Sequence, residues 1–370
     1  MKKTRVVYVV NLDATTSIPL EVAAELHKYE DNIKTVVYYK DSKYPPNPFT
    51  RDIENLELKK GNLFSNVKTV YKFLKKWQPE VIHAHHTISS LIFFVVARLV
   101  LKNVILIKTE HNNHNFFKPY QSFINFFILL LSDKILCNSE NTHKSFSKIE
   151  QLVTKNKVTI VHNGVNTEFI NNQKLTLRTA KKYNAEILLR EDIKVVGSVG
   201  RIVEQKNYET LLTAFHQLTL DISFQNTYLV IVGDGDKKNI LEELIHKLKL
   251  EDKVILTGAV SREEVYAFLS KFDVFVMTSL WEGFCNTVVE AMAAGKPIVC
   301  TDIPTLREVV KSAGVFVPIR DKNGFAQAIK ESLSTDEETR KVSTDISLKI
   351  AMDYSIEKTA KKYISYYGFG

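Results

Sequence analysis

The stretch Ser279–Val299, SLWEGFCNTVVEAMAAGKPIV, decides how the chain is read. It follows an apolar run, Val274-Phe275-Val276-Met277, with the branched and aromatic character of a buried strand. Gly283 permits a tight turn. From Asn286 or Thr287, either of which suits an N-cap, Val288, Val289, Ala291 and Met292 recur with helical period. Gly295 and Pro297 stop that helix, and Ile298-Val299-Cys300 reads as the next strand. A loop that feeds a helix N-terminus presents backbone N–H groups and the positive end of a dipole, which together suit a phosphate. Glu282 in the loop and Glu290 about one turn into the helix flank that place. A carboxylate repels a phosphate, so each acid suits hydroxyl partners on a sugar or a ribose; the plainer reading makes them a loop acid and a solvated helix position.

Outward from this stretch, Val195-Val196-Gly197-Ser198-Val199-Gly200 is a strand with a glycine exit, followed at once by Arg201 and Lys206 in RIVEQKN. Glu, seven residues, then Glu within EGFCNTVVEAMAAGKPIV resembles the signature of the family 4 retaining glycosyltransferases of GT-B fold. RIVEQKN is similar to the Arg and Lys pair with which that family clamps a donor pyrophosphate. The physics fits: a departing diphosphate gains negative charge, and two fixed cations stabilise it much as a divalent metal would. The family often has Gly or Pro where Cys285 stands. The resemblance covers nearly the whole chain and is strongest from Val195 to Pro318.

The first half reads as successive strand and helix units, which imply a doubly wound sheet. Val6–Val10 is a continuous apolar strand, and Pro19 opens a helix. The loop before it, NLDATTSI, has no glycine, so Thr15, Thr16 and Ser17 supply hydroxyls where related enzymes bring backbone close to phosphate and acceptor. Val67–Trp77 is amphipathic with Lys68, Lys72, Lys75 and Lys76 on its polar side. Val81-Ile82 begins a strand that ends in His83-Ala84-His85-His86, and Val104–Thr109 leads into Glu110-His111-Asn112-Asn113-His114-Asn115. Polar residues at strand C-termini face the ligand crevice of an open α/β sheet, so His85, His111 and Asn112 are acceptor-side candidates. His111 fits the place of a family histidine that points at the acceptor; it orients a hydroxyl or relays its proton, since imidazole titrates near neutrality. No third ligand joins His111 and His114 at metal spacing, and no metal is expected. Phe116–Leu131 is aromatic at helical spacing and carries Lys118; it reads as core, with the alternatives that part of it lines a groove for a lipid carrier or touches the bilayer. His162-Asn163-Gly164-Val165 is similar to the family's Asn-Gly-Val at the end of its first domain.

A chain of 370 residues fits two domains. Three cysteines, Cys137, Cys285 and Cys300, follow no metal spacing and point to a reducing compartment. The longest apolar runs fall short of a membrane span, and Asn11 and Asp13 interrupt the only signal-like segment. Residues 1–165 hold 23 Lys+Arg against 14 Asp+Glu and the remainder 27 against 28, so the basic excess sits in the first half. That excess points to an anionic partner, with a membrane surface ahead of nucleic acid because no nucleic-acid motif is present.

The resemblance implies two Rossmann-like domains facing each other across a cleft: residues 1–170 for the acceptor, with a terminal helix of about 354–370 packing back onto them, and residues 171–353 for the nucleotide sugar. In that fold the two lobes close as a hinged clamp. It implies retaining, metal-independent transfer from a UDP- or GDP-sugar to a hydroxyl of a glycan or lipid-linked glycan. The setting is bacterial surface polysaccharide assembly, in the cytoplasm or peripheral on the inner face of the cell membrane, with no cofactor. Arg201, Lys206 and the amides around Phe284, Cys285, Asn286 and Thr287 would hold the donor diphosphate, with Gly200, Gly233, Gly235 and Gly283 also lining the donor site. Glu290 would take the ribose, Glu282 the donated sugar, and Thr16, Ser17, His85, His111 and Asn112 the acceptor. The alternatives are a sugar-nucleotide epimerase of the same fold and a non-catalytic activating subunit.

Overall fold

The protein is described by a computed structural model covering residues 4–12, 17–39, 54–56, 58 and 62–368. The chain forms two compact units, residues 1–164 with 356–370, and residues 165–355. Each unit is built on a parallel sheet.

The first unit has strands β1 (Val6–Leu12), β2 (Ile33–Tyr39), β3 (Glu54–Asn55), β4 (Val81–Ala84), β5 (Ile105–Glu110), β6 (Lys134–Cys137) and β7 (Val158–Ile160). Their order is β3-β2-β1-β4-β5-β6-β7. Val6 pairs with Ile33 on one side and Val81 on the other, so the winding reverses between β1 and β4. Val6, Val7, Val9 and Val10 are fully buried, as a strand covered on both faces requires. Helices 63–77, 87–100 and 119–131 cover one face, sharing a core with Val7, Val9, Ile82 and Leu106. Helices 18–27 and 356–367 cover the other, against Val6, Tyr8, Val10 and Ile107. The chain re-enters this unit at a point where only glycine fits: a Cβ on Gly164 would lie 2.5 Å from the Ile356 Cα. Helix 63–77 begins four residues before the expected Val67, because the Asn62 side chain accepts from the Ser65 N–H at 3.0 Å and caps it there.

The second unit has β8 (Lys194–Val199), β9 (Thr227–Val232), β10 (Val254–Leu256), β11 (Val274–Met277), β12 (Ile298–Thr301) and β13 (Gly314–Val317). Their order is β10-β9-β8-β11-β12-β13, so the winding reverses between β8 and β11. Helix 286–293 buries Val288, Val289, Ala291 and Met292 against this sheet. Each large one contributes about 1.5–3 kcal/mol. In both units the reversal opens a crevice at the strand C-termini, the usual ligand position of such sheets.

Candidate active site

In the second unit the reversal falls between the segment after β8 and the segment after β11. Two loops there are stitched together. Leu280 N donates to Gln205 O at 2.8 Å, and Gln205 Nε2 donates to Trp281 O at 2.8 Å. Thr278 Oγ1 lies 2.9 and 3.0 Å from the carbonyl oxygens of Lys206 and Asn207. Asn207 takes the left-handed conformation (φ 50°) that lets helix 208–219 start directly after the loop.

This stitching sets Lys206 Nζ 2.6 Å from Glu282 Oε1. The same oxygen accepts from Ser279 Oγ at 2.7 Å, and Gln205 Nε2 lies 3.3 Å from the other. Burial alone would push the Lys206 amine down, but the Glu282 carboxylate outweighs it and holds the ammonium above its ordinary value. Lys206 is therefore a fixed cation, and its partner Glu282 is already engaged by three donors. Arg201 is exposed, and no hydrogen bond or ion pair among the described residues holds its guanidinium.

Glycine is required where the β8 and β9 exits cross. A Cβ on Gly233 (φ 145°) would lie 2.1 Å from Gly200 O, and one on Gly235 would lie 2.2 Å from Ile202 O. At the next loop two expectations are corrected. The left-handed residue is Cys285 (φ 71°), whereas Gly283 is not among the positive-φ glycines. The helix N-cap is Cys285 rather than Asn286 or Thr287, and its side chain makes no cap bond. A turn-forming Gly in EGFC is the natural guess; here the strain sits two residues later, held by the burial of Phe284 and Cys285. Phe284 packs edge-on against Tyr354, 5.4 Å between ring centroids, so only its backbone is left for a ligand. Burial and the nearby Glu282 push the Cys285 thiol up to about 12, leaving it a packing group and not a nucleophile.

Glu290 is 1% exposed, which removes the solvated reading. Its Oε1 accepts from Arg262 Nη2. Its Oε2 is buried with no hydrogen-bond partner among the described residues. Arg262 also lies over the Tyr266 ring, 4.9 Å to the centroid. Sequence reasoning missed Arg262. Ser261-Arg262-Glu263-Glu264 reads as a capping box on a surface helix, and the box is present, but the arginine within it turns inward.

In the first unit the reversal lies between β1 and β4. Thr16 falls outside the described residues; Ser17 is the N-cap of helix 18–27, and its hydroxyl makes no cap bond. The β4 and β5 exits bring His85 Nδ1 and His111 Nε2 to 3.0 Å. Asn112 beside them is exposed. His83 points the other way, bonded to the Tyr367 hydroxyl at 2.7 Å and to Thr109 Oγ1 at 2.6 Å. Burial, then His86 and Lys108, push His111 down to about 3. Burial and Lys108 push His86 down to about 4. The expectation of a histidine titrating near neutrality is corrected: His111 is a neutral imidazole and a weak base.

Beneath the histidines lies Lys108, 1% exposed, whose ammonium donates to His85 O at 3.1 Å and Thr109 O at 2.6 Å and faces Glu110 at 3.6 Å. His114 is drawn away from His111, between Glu110 and Glu150. Burial opposes its charge, but the two carboxylates raise it to about 9. A lysine inside the apolar run ILIKTE was the signal that could have found this network. Among the described residues no group of three or more His, Cys, Asp or Glu is placed to hold a metal ion.

Two doubly wound parallel sheets of this order define the GT-B class of nucleotide-sugar enzymes. Residues 179–346 match the family described as Glycosyl transferases group 1, and residues 21–169 match Glycosyltransferase Family 4. Together these take in well over half of the sequence, and the chain belongs to the family 4 glycosyltransferases. An uncharacterized glycosyltransferase of Methanocaldococcus jannaschii is 31% identical over 65% of this chain, and the chain spans 61% of that relative's length. The N-acetylgalactosamine-N,N'-diacetylbacillosaminyl-diphospho-undecaprenol 4-alpha-N-acetylgalactosaminyltransferase of Campylobacter jejuni is 29% identical over 73% of this chain and 69% of its own. The crystal structure of Anabaena HepE in complex with UDP and glucose superposes with a TM-score of 0.79 over 98% of this chain and 99% of its own, at 16% identity.

Proposed function

We propose that the protein is a retaining glycosyltransferase that moves a sugar from a UDP- or GDP-sugar to a hydroxyl of a glycan or lipid-linked glycan in surface polysaccharide assembly. The observation that carries this reading is the buried Lys206–Glu282 pair at the winding reversal of the second sheet, 2.6 Å long and beside a helix N-terminus. A neutral amine there would have no use for a diphosphate; an ammonium kept charged has. Arg201, Lys206 and the amides of residues 283–287 hold the diphosphate. The unfilled Glu290 Oε2 accepts from the ribose, with Arg262 fixing the carboxylate. Glu282 anchors Lys206 and turns its remaining lone pair to the donated sugar.

Among the described residues no side chain stands out as a nucleophile at this cluster, because the Cys285 thiol is kept protonated. We therefore infer front-side attack. The glycosidic C–O bond breaks as the acceptor oxygen bonds to the same face, and the leaving phosphate takes the acceptor proton. His111 orients that hydroxyl. A lipid-diphosphate acceptor is supported by the undecaprenol-diphosphate acceptor in the name of the Campylobacter relative, and a uridine donor by the UDP in HepE. The reaction is placed on the cytoplasmic side, in keeping with three buried free thiols. No described helix is long and apolar enough to cross a membrane.

The test is the purified chain with a panel of nucleotide sugars, with and without a glycan acceptor. Product that forms only when an acceptor is added supports transfer. Turnover of the donor alone into an epimer would replace the reading, and no donor stabilising the fold in a thermal-shift screen would remove it.

A further inference from the structure

Four ionisable side chains of the first unit, Lys108, Glu110, His114 and Glu150, form one chain of contacts in which the charges alternate. Glu110 Oε1 is 3.6 Å from the Lys108 ammonium, Glu110 Oε2 is 3.6 Å from His114 Nε2, and His114 Nδ1 is 3.1 Å from Glu150 Oε1. All four are buried. The far end has a structural use: Glu150 completes a capping box on helix 148–154, accepting from the Ser147 N–H at 2.7 Å. The near end needs another. Exchanging a buried ion pair for apolar groups of similar volume is often neutral or stabilising, so packing alone gives Lys108 no reason to interrupt the apolar run ILIKTE.

What Lys108 holds is backbone. The ladder between β4 and β5 ends at the pair Ala84 and Lys108. One residue further on, the His85 N–H turns to the other neighbouring strand and donates to Val9 O at 3.3 Å. The His85 carbonyl takes its hydrogen bond from a side chain: the Lys108 ammonium donates to it at 3.1 Å, and to Thr109 O at 2.6 Å. One side chain therefore ties the exit of β4 to the exit of β5. His85 and His111 ride on these exits, with their rings stacked 5.3 Å apart between centroids and joined at 3.0 Å. Two neutral imidazoles joined in this way share one hydrogen bond, in which one ring gives its N–H and the other its lone pair. A shift of either exit breaks it. His85 Nε2, on the far side of that ring, is buried with no hydrogen-bond partner among the described residues. It is the open position that a hydroxyl, both donor and acceptor, can fill. After burial, the Lys108 charge also helps to push His86 and His111 down, which keeps the surface neutral.

We propose that Lys108 is a positioning residue of the acceptor site. By tying the carbonyls of His85 and Thr109 it fixes the two strand exits, so that His85 and His111 present one defined pattern of donor and acceptor to a hydroxyl. The identity of that hydroxyl rests on the transferase reading; the hold on the pair rests on the geometry alone.

The experiment compares the wild-type chain with Lys108→Met plus Glu110→Gln, a double variant that removes the cation without stranding its carboxylate. Melting temperature checks the fold. With the donor and acceptor that give product in the nucleotide-sugar panel, kcat/KM for the acceptor should fall by about 10- to 100-fold, the scale of misplacing a reacting group by about 1 Å. KM for the donor should stay unchanged, whereas a general structural defect would move both. Lys108→Gln plus Glu110→Gln, one bond short of the His85 carbonyl, should show a smaller loss of the same kind, and it decides if the methionine variant does not fold. A second readout needs no substrate. With histidine isotope-labelled at both ring nitrogens, NMR near neutral pH should show one protonated and one bare nitrogen in each of His85 and His111. In the variants the two shifts of each ring should draw together as tautomers exchange, while exposed His246 should not change. An unchanged kcat/KM for the acceptor in a folded variant, equal losses for donor and acceptor, or unaltered ring-nitrogen shifts would overturn the proposal. If no nucleotide sugar gives product, the transferase reading fails, and the nitrogen shifts still decide whether Lys108 holds the pair.

Discussion

The two strand-end clusters solve the same electrostatic problem in opposite ways. Both bury ionisable groups at a winding reversal. In the second unit Lys206 has a carboxylate 2.6 Å away and stays charged. In the first, His85 and His111 have each other, at 3.0 Å, and burial discharges both. A counter-ion, more than depth, decides whether a buried group keeps its proton. On the proposed reading, the Lys206 arrangement supplies a fixed cation for a diphosphate and the paired histidines a neutral hydrogen-bonding surface for a hydroxyl.

The contrast breaks most visibly at Lys206. Lys206→Ala is expected to lower kcat/KM by about 100-fold or more, the scale of losing one charge stabiliser in the transition state. It also strands Glu282, and breaking a buried pair costs about 3–5 kcal/mol. The double variant Lys206→Met with Glu282→Gln should recover much of the melting temperature and none of the turnover. Recovery of both would remove the pair from the chemistry.

On the other side of the comparison, His111→Asn keeps a hydrogen-bonding side chain and loses the titrating ring. If His111 orients, this variant should retain more activity than His111→Ala, which should fall by about tenfold. The pH–rate profile between pH 5 and 8 should be the same for wild type and His111→Asn, because the ring titrates at about 3. An acid limb near neutrality that disappears in the Asn variant would restore the proton-relay role.

Stability against pH separates the discharged histidines from the charged one. His111 at about 3 and His86 at about 4 are depressed below the ordinary imidazole value. Below about pH 6.5 the unfolded chain binds protons that the folded chain refuses. Stability should therefore fall as pH drops from about 6.5 toward 4, by up to about 1.4 kcal/mol per pH unit for each histidine. His114, raised to about 9, acts in the reverse direction. Its contribution is full below about pH 6.5 and is lost as pH rises toward 9. A melting temperature that peaks near neutrality and shifts upward in acid on His86→Asn would agree; no shift would disconnect that histidine.

Much of this was legible in the sequence, and the reasons differ by feature. Val6–Val10 and Val274–Met277 are apolar throughout, and only a strand covered on both faces tolerates that. The Glu282 and Lys206 positions were legible because the Glu282–Glu290 spacing and RIVEQKN resemble the family's motifs, at strand exits where polar residues have no packing reason. Their pairing was not, since 76 residues separate them and only the reversal of winding joins their loops. Arg262 was hidden for a different cause: a capping box and an inward arginine share one turn, and local pattern reports the box alone. Tyr367 on His83 closes a contact across 284 positions that no periodicity carries.

The smallest effect tests where the loop's strain sits. Cys285 holds φ 71° at the start of helix 286–293, where an L side chain crowds the following carbonyl. Gly283, the residue a sequence reader expects to turn, does not take that conformation. At most buried positions Ala is more stable than Gly, because glycine loses more backbone freedom on folding. At 285 the order should invert, with Cys285→Gly more stable than Cys285→Ala by about 1 kcal/mol, read as a higher melting temperature. The same pair at Cys300, in the middle of β12 and fully buried, should show the ordinary order and serves as the internal reference. Should Ala exceed Gly at both sites, the left-handed turn at 285 is not what shapes the loop. The helix N-terminus would then owe its position to the Phe284 packing alone.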